Sequence, residues 1–248
     1  MMHNLDNKLQ KVHNELAKLA INEGELNYIH THQQRWIDVL KLFFHYSWKK
    51  TKVLDVGIGG GWMSILIKNL FNCDACGVDI DRTETYLWAD RLENLGIKFN
   101  ICDITKEKLP YPNETFDVVL LLEVLEHLIT SHPPYEIFDE IKRCMKPNSH
   151  LILSTPNSLA LHKRFLALLG KNPLTHGFKS KYSYKKHFRE YTVDELKYVL
   201  NGYGFRIDKI ILKNYVFLAS NSFLELLSIY PRFKDTITVI CTKGKKGG

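Results

Sequence analysis

Apolar residues recur along this chain in two rhythms. Leu5, Leu9, Val12, Leu16 and Leu19 fall three or four apart, which predicts an amphipathic helix over residues 4–21. Gly24 is expected to interrupt it, and a second helix follows over about 28–46, with Trp36, Ile37, Leu40 and Phe43 on one side. After the polar break Lys49-Lys50-Thr51 the pattern becomes short, fully apolar or β-branched runs separated by helical ones. Strands are expected at Val53, Leu54 and Val56, over 75–78 ending at Asp79, over 97–102 ending at Asp103, over 116–122, and over 150–154. Helices are expected between them over 62–71, over 83–94 with Gly96 as its terminator, and over 135–145 after Pro133 and Pro134. Pro147-Asn148 turns the chain into the fifth strand.

Strands alternating with helices every 20 to 30 residues predict a parallel, doubly wound α/β sheet. Beyond Pro156 the rhythm breaks. A helix over 158–169, a loop-like stretch over 170–186, a helix over 192–201 with Asp194 and Glu195 in its first turn, and strands over 205–212 and 236–241 follow. A short helix near 222–229 between the last two strands allows an antiparallel edge, and the tail from Lys243 reads as disordered. One domain over 1–248 is expected: a helical N-terminal cover (1–48), a cofactor-binding core (49–157), a basic lid (158–191) and the end of the sheet (192–243).

The first strand runs into Asp55 and then Gly57, Gly59, Gly60 and Gly61. Glycine accepts φ > 0 and lets a ligand approach the main chain, and the helix behind it offers unpaired N–H groups. Asp79 lies 22 residues after Gly57, where an acidic side chain accepts from both hydroxyls of a ribose. A dinucleotide fingerprint would need glycine where Trp62 stands, so an adenosine ligand without a pyrophosphate fits better.

From Thr51 to Asn157 the chain resembles the class I S-adenosylmethionine-dependent methyltransferases. VLDVGIGGG looks like their first motif, GVDID their second, CDITKEKLPYPNETFDVV their third, and LLEVLEHL with MKPNSHLILSTPN their fourth and fifth. Ile58 and Asn148-Ser149 depart mildly from the usual pattern. A fainter resemblance over 187–205 is to small-molecule members, and the type is similar to ubiquinone-pathway and glycan-associated O-methyltransferases. The resemblance implies a Rossmann-like seven-stranded, mostly parallel sheet with an antiparallel last strand.

It also implies roles. Asp55 would orient the methionine portion, and Gly57, Gly59 and Gly61 would let backbone approach methionine and ribose. Asp79 would bind the ribose, with Ile80 packed on the adenine. Asp103 would accept from the adenine amino group, with Ile104 on the ring's other side. Glu123 would face the sulfonium through its backbone, and Arg35 would reach the ligand's carboxylate. The cofactor is then S-adenosylmethionine, leaving as S-adenosylhomocysteine, with no metal. His30-x-His32 and Cys73-x-x-Cys76 lack the partners of a metal set, and the cysteines read as small buried hydrophobes.

Methyl transfer to a hydroxyl benefits from a general base, and His127 and His187 are the catalytic candidates, each with a structural hydrogen-bonding role as the alternative. Glu126 reads as a helix-surface or capping residue. Arg189 and Tyr191 are candidate acceptor contacts.

The net charge of +7 is concentrated: Lys163 to Arg189 holds eight basic residues and no acidic one, with Phe178, Tyr182, Tyr184 and Phe188 interleaved. A lid over a small anionic, sugar-containing or lipid-linked acceptor is the first reading, and a membrane-surface contact overlaps with it. An RNA methyltransferase, or a cofactor-binding partner without catalysis, is the alternative. No apolar run is long enough for a membrane span and the N-terminus lacks a secretory apolar stretch, so a cytoplasmic location is expected.

Overall fold

The computed structural model describes residues 16–20, 22–80, 83–128, 136–173, 187–215 and 230–244. The expectations for residues 1–15, for Pro133, Pro134 and Tyr135, for the basic stretch 174–186, for the helix at 222–229 and for 245–248 lie outside the described residues.

The first long helix, α1 (Glu23–His45), begins where an interruption was expected. Gly24 sits in its first turn, where N–H groups have no intrahelical acceptor. The Asn22 side chain supplies one, accepting from Glu25 N–H at 2.9 Å. The cap outweighs the glycine's entropy cost at that end. Then come β1 (Lys52–Val56), α2 (Trp62–Phe71), β2 (Asp74–Asp79), α3 (Thr83–Asn94), β3 (Lys98–Ile101), β4 (Phe116–Leu122), α4 (Glu136–Cys144) and β5 (Met145–Pro156). The chain closes with α5 (Leu161–Leu168), α6 (Val193–Gly202), β6 (Phe205–Lys213) and β7 (Thr236–Lys243).

The seven strands form one sheet in the order β3-β2-β1-β4-β5-β7-β6. β1 pairs in parallel with β2 and β4, and β7 runs antiparallel to both β5 and β6. Two expectations about strand ends are corrected. β5 starts at Met145, which pairs with Phe116; the register then jumps to Val118–His150, so the Pro147-Asn148 turn is looped out inside the strand. Lys243, expected in the tail, is the last residue of β7.

Strand side chains alternate faces, and both faces are buried. Val53, Val118, Leu120, Ile152 and Ile240 join Phe43 of α1 and Ile65 of α2 in one core. Leu54, Val119, Leu121, Leu153 and Val239 join Phe138 of α4 and Leu200 of α6 in the other. The N-terminal cover is therefore part of a core layer, packed on the same face as α2. Truncating a fully buried leucine of β4 such as Leu120 to alanine costs about 3 kcal/mol. Among the described residues no helix is long and apolar enough to cross a membrane.

Candidate active site

Strand order reverses between β1 and β4, the position at which open α/β sheets take ligands beyond their carboxyl ends. β1 delivers the glycine turn there. Gly57, Gly59 and Gly61 all have φ between +51° and +77°, a region L side chains rarely adopt. Their surroundings differ. A Cβ on Gly57 would lie 2.4 Å from Val124 Cγ2, and one on Gly61 would lie 2.2 Å from Leu92 Cδ2, so these two glycines also serve internal packing. A Cβ on Gly59 meets nothing within 4 Å: this is the open side of the turn.

Asp55 lies beneath the turn, buried, accepting from Ser64 Oγ at 2.8 Å. Burial pushes its carboxyl up to about 7; the Ser64 hydrogen bond opposes this and the charge of Asp79 adds to it. At the end of β2, the Asp79 carboxylate accepts from Gly59 N–H at 2.7 Å and from Ile80 N–H at 2.8 Å. These two bonds orient the Asp79 carboxylate at the turn. Ile80 beside it is 44% exposed, an apolar side chain at the mouth. This acceptor, the Ile80 side chain and the open side of Gly59 fit a ribose with a flat apolar base next to it.

The third predicted contact is differently engaged. Asp103, just past β3, accepts from Thr105 N–H (3.1 Å), Thr105 Oγ1 (2.6 Å) and Lys106 Nζ (2.7 Å). Burial would raise its carboxyl, but the Lys106 and Thr105 hydrogen bonds prevail and hold it below the usual value. Ile104 is half-buried and packs on the second core.

At the end of β4 three carboxyl and imidazole groups converge. Glu123 has φ +56°, uncommon for a residue with a Cβ, and its N–H donates to Ser154 O at 2.9 Å. Its carboxylate accepts from Ser154 Oγ at 2.8 Å and pairs with Arg35 Nη1 of α1 at 2.8 Å. The side chain is thus as engaged as the backbone on which the expectation rested. Burial alone would lower the Arg35 pKa, and Glu123 together with Tyr28, Glu126 and Asp235 more than reverses that. Arg35 Nε is buried and has no hydrogen-bond partner among the described residues.

Glu126 is the main residue that sequence reasoning missed. Expected at the surface, it is 1% exposed. Its Oε2 accepts from Thr155 Oγ1 at 3.0 Å, while Oε1 is buried without a hydrogen-bond partner among the described residues, 3.9 Å from His127 Nε2. Burial, helped by the charge of Glu123, raises its pKa well above the ordinary value. The available signal was the pair of carboxylates three apart, followed at once by histidine, inside the otherwise apolar run from Leu120 to Leu128. His187 arrives from the far side of the lid segment, its ring centroid 4.9 Å from that of His127. One ligand atom from each of Glu126, His127 and His187 lies within 4.8 Å of the other two. Ligands sharing a cation at about 2.1 Å stand about 3 to 4 Å apart, so a modest contraction would let the three hold one. The expectation of no metal therefore meets a ready ligand set.

Residues 28–210 match the family model described as a methyltransferase domain, which covers more than half of the chain. The chain belongs to that family. Ubiquinone biosynthesis O-methyltransferase from Aliivibrio fischeri (strain MJ11) is 36% identical over 109 residues, 43% of this chain and 44% of that protein. The mitochondrial enzyme of the same name from Schizosaccharomyces pombe is 27% identical over 206 residues, 79% of this chain and 71% of that one. The alignment thus spans under half the length of the first of these relatives. Among solved structures, a SAM-dependent methyltransferase from Methanosarcina mazei superposes with TM-score 0.63 at 18% identity over 83% of this chain and 98% of that one. A possible histamine N-methyltransferase from Thermotoga maritima gives 0.62 at 15% identity over 90% and 95%. At these identities the two structures establish the fold, that of S-adenosylmethionine-dependent methyltransferases.

The described residues of the basic segment 158–191 engage several of its charges internally. Lys163, counted there as a surface charge, is buried; its Nζ donates to Asn157 O at 3.0 Å and pairs with Glu190. Arg164 donates to Leu159 O and lies over the Phe233 ring. Arg189 pairs with Glu195 at 3.0 Å and lies over the ring of Tyr191. Tyr191, expected to contact the acceptor, is 1% exposed and packs in the second core, fixed by the pairing of its backbone with Asn157. The cysteines are as expected: Cys73 is buried, Cys76 half-buried, and both are free thiols.

Proposed function

We propose that this protein transfers a methyl group from S-adenosylmethionine to the hydroxyl oxygen of a small molecule, at a centre formed by Glu126, His127 and His187. The observation that carries the reading is the buried Oε1 of Glu126, without a hydrogen-bond partner among the described residues, 3.9 Å from His127 Nε2 and beyond the end of β4. When bound, the cofactor supplies an electrophilic methyl on a sulfonium, and the displacement needs alignment more than covalent help. Asp79 and the open side of Gly59 fit the ribose, Ile80 the adenine, and Asp55 and Arg35 the methionine end.

A hydroxyl acceptor must shed its proton as the methyl arrives, and an imidazole is the side chain suited to take it near neutral pH. His127 and His187 stand together at the site, with Glu126 able to accept a proton from, or stabilise charge on, His127. The same three groups suit a divalent cation, which when bound would lower the pKa of an acceptor hydroxyl. An oxygen acceptor is favoured by the relatives named ubiquinone biosynthesis O-methyltransferase.

The test is incubation with methyl-labelled cofactor and cell-extract fractions, separating small molecules, lipids, RNA and protein. Label on oxygen in a small molecule or lipid is the expected result, reduced at least about 100-fold in Glu126→Gln and His127→Ala. Label in RNA would replace the small-molecule reading, and no label in any fraction would favour a binding-only protein. Full activity in both variants would remove the proposed centre.

A further inference from the structure

His187 is held from behind. Its Nδ1 lies 3.0 Å from Glu190 Oε1, and the other oxygen of Glu190 pairs with Lys163 Nζ. Lys163 and Glu190 have side chains only 9% and 5% exposed, and Lys163 is pinned in turn by the carbonyl of Asn157. The backbone is fastened as well: Phe188 N–H donates to Glu126 O at 2.8 Å, so the segment carrying His187 is tied to the segment carrying Glu126.

Burying a lysine–glutamate pair costs several kcal/mol per ion unless the geometry and the remaining hydrogen bonds are good. Here the second carboxylate oxygen goes to an imidazole whose ring centroid lies 4.9 Å from that of His127. With Lys163 Nζ on one oxygen and His187 Nδ1 on the other, Glu190 is the acceptor in both contacts. An acceptor at Nδ1 requires the ring proton there, which leaves Nε2 as the nitrogen with a lone pair.

We propose that Glu190, kept in place by Lys163, is a positioning residue that fixes His187 as the Nδ1–H tautomer and so presents its Nε2 lone pair to the Glu126–His127 centre. This rests on the reading of that centre as the place of methyl transfer. A carboxylate behind the histidine raises the basicity of the opposite nitrogen, which serves a proton acceptor and a cation ligand equally.

Glu190→Gln gives a directional test, because Lys163 has a claim on the amide oxygen. With that oxygen turned to Lys163, the amide NH2 faces Nδ1, which must then accept, and the ring proton moves to Nε2. In the double variant Lys163→Met/Glu190→Gln the amide is free to turn back, and the Nδ1–H form returns. Nitrogen-15 NMR of the histidine rings at about pH 8, where an imidazole is neutral, reads the tautomer directly. The His187 resonances are assigned by their loss in His187→Asn.

The expected result is Nδ1–H in the wild type, Nε2–H in Glu190→Gln and Nδ1–H again in the double variant, with the backbone spectrum preserved. The same tautomer in all three, or Nε2–H in the wild type, overturns the proposal whether or not the protein methylates anything. Mn²⁺ affinity by calorimetry is the second arm, expected to fall about 10- to 100-fold in Glu190→Gln and to recover in the double variant. Loss of Mn²⁺ binding in His187→Asn with none in Glu190→Gln also overturns it. A wild type that binds no Mn²⁺ removes the cation from the proposed centre, and the tautomer then decides this proposal alone.

Discussion

Arg35 Nη1 lies 2.8 Å from Glu123 Oε2, joining the N-terminal helix to the end of the central strand across a largely buried contact. The pair offsets two costs at once. It compensates a buried guanidinium, and it places a positive charge near Glu126 as well as Glu123. Arg35→Ala should therefore destabilise the cofactor-free protein by about 3 kcal/mol, because it leaves a half-buried carboxylate uncompensated. Arg35→Met with Glu123→Gln should lose less, since both charges go together. Urea denaturation of the wild type and the two variants measures this; equal losses would show that the pair is a surface contact in energetic terms.

Asp79 ties the glycine turn to the end of β2 through Gly59 N–H and Ile80 N–H. Asp79→Ala removes both acceptors and the proposed ribose contact, so cofactor affinity by calorimetry should fall at least about 100-fold, the equivalent of two charge-assisted hydrogen bonds. Unchanged affinity would move the cofactor out of this cleft.

Glycines of the same turn should separate into two classes. Gly61→Ala drives a methyl against Leu92 and into a left-handed backbone, so it should unfold or strongly destabilise the protein. Gly59→Ala meets open space and carries only the conformational cost, about 1 kcal/mol, yet it narrows the side on which a ligand would lie. The expected signature is a nearly normal melting temperature with weakened cofactor binding for Gly59→Ala. A Gly59→Ala protein that binds as well as the wild type would show that the ligand does not approach there.

Much of the cradle was legible because it depends on local pattern. The run Val53–Val56, the glycines and the acidic residues at strand ends define strand, turn and ligand edge within a few residues of one another. Helices α2 and α3 and strand β4 likewise follow from apolar spacing that tertiary packing does not override. Glu126 was misread for the opposite reason. Its burial comes from Thr155 on β5 and from a lid segment about 60 residues downstream, neither of which is visible from its neighbours. Lys163 and Tyr191 failed in the same way. Charge and aromatic content were taken for surface chemistry, whereas long-range partners at Glu190 and Asn157 draw both inward. Gly24 was misread because an N-cap two residues before it, Asn22, sets the helix start.

Asp55 offers a pH test of the cradle itself. Burial raises its carboxyl from the ordinary 3.8 to about 7 in the folded protein, against the pull of Ser64. A folded-state pKa above the unfolded one means that the unfolded chain gives up its proton first. The associated stability is fully present below about pH 4 and is lost progressively as pH rises through about 7, above which both states are ionised and the loss is constant. The loss is of the order of a few kcal/mol. Asp55→Asn stays neutral and its side-chain oxygen can still accept from Ser64. Cofactor-free Asp55→Asn should therefore melt higher than the wild type at about pH 8 and about the same at about pH 4, while binding cofactor more weakly at about pH 8. Melting curves across that range decide it. A wild-type stability that rises between about pH 4 and 7 by the same amount in both proteins would show that Asp55 is ionised at no cost, and that its burial has been offset by a donor other than Ser64.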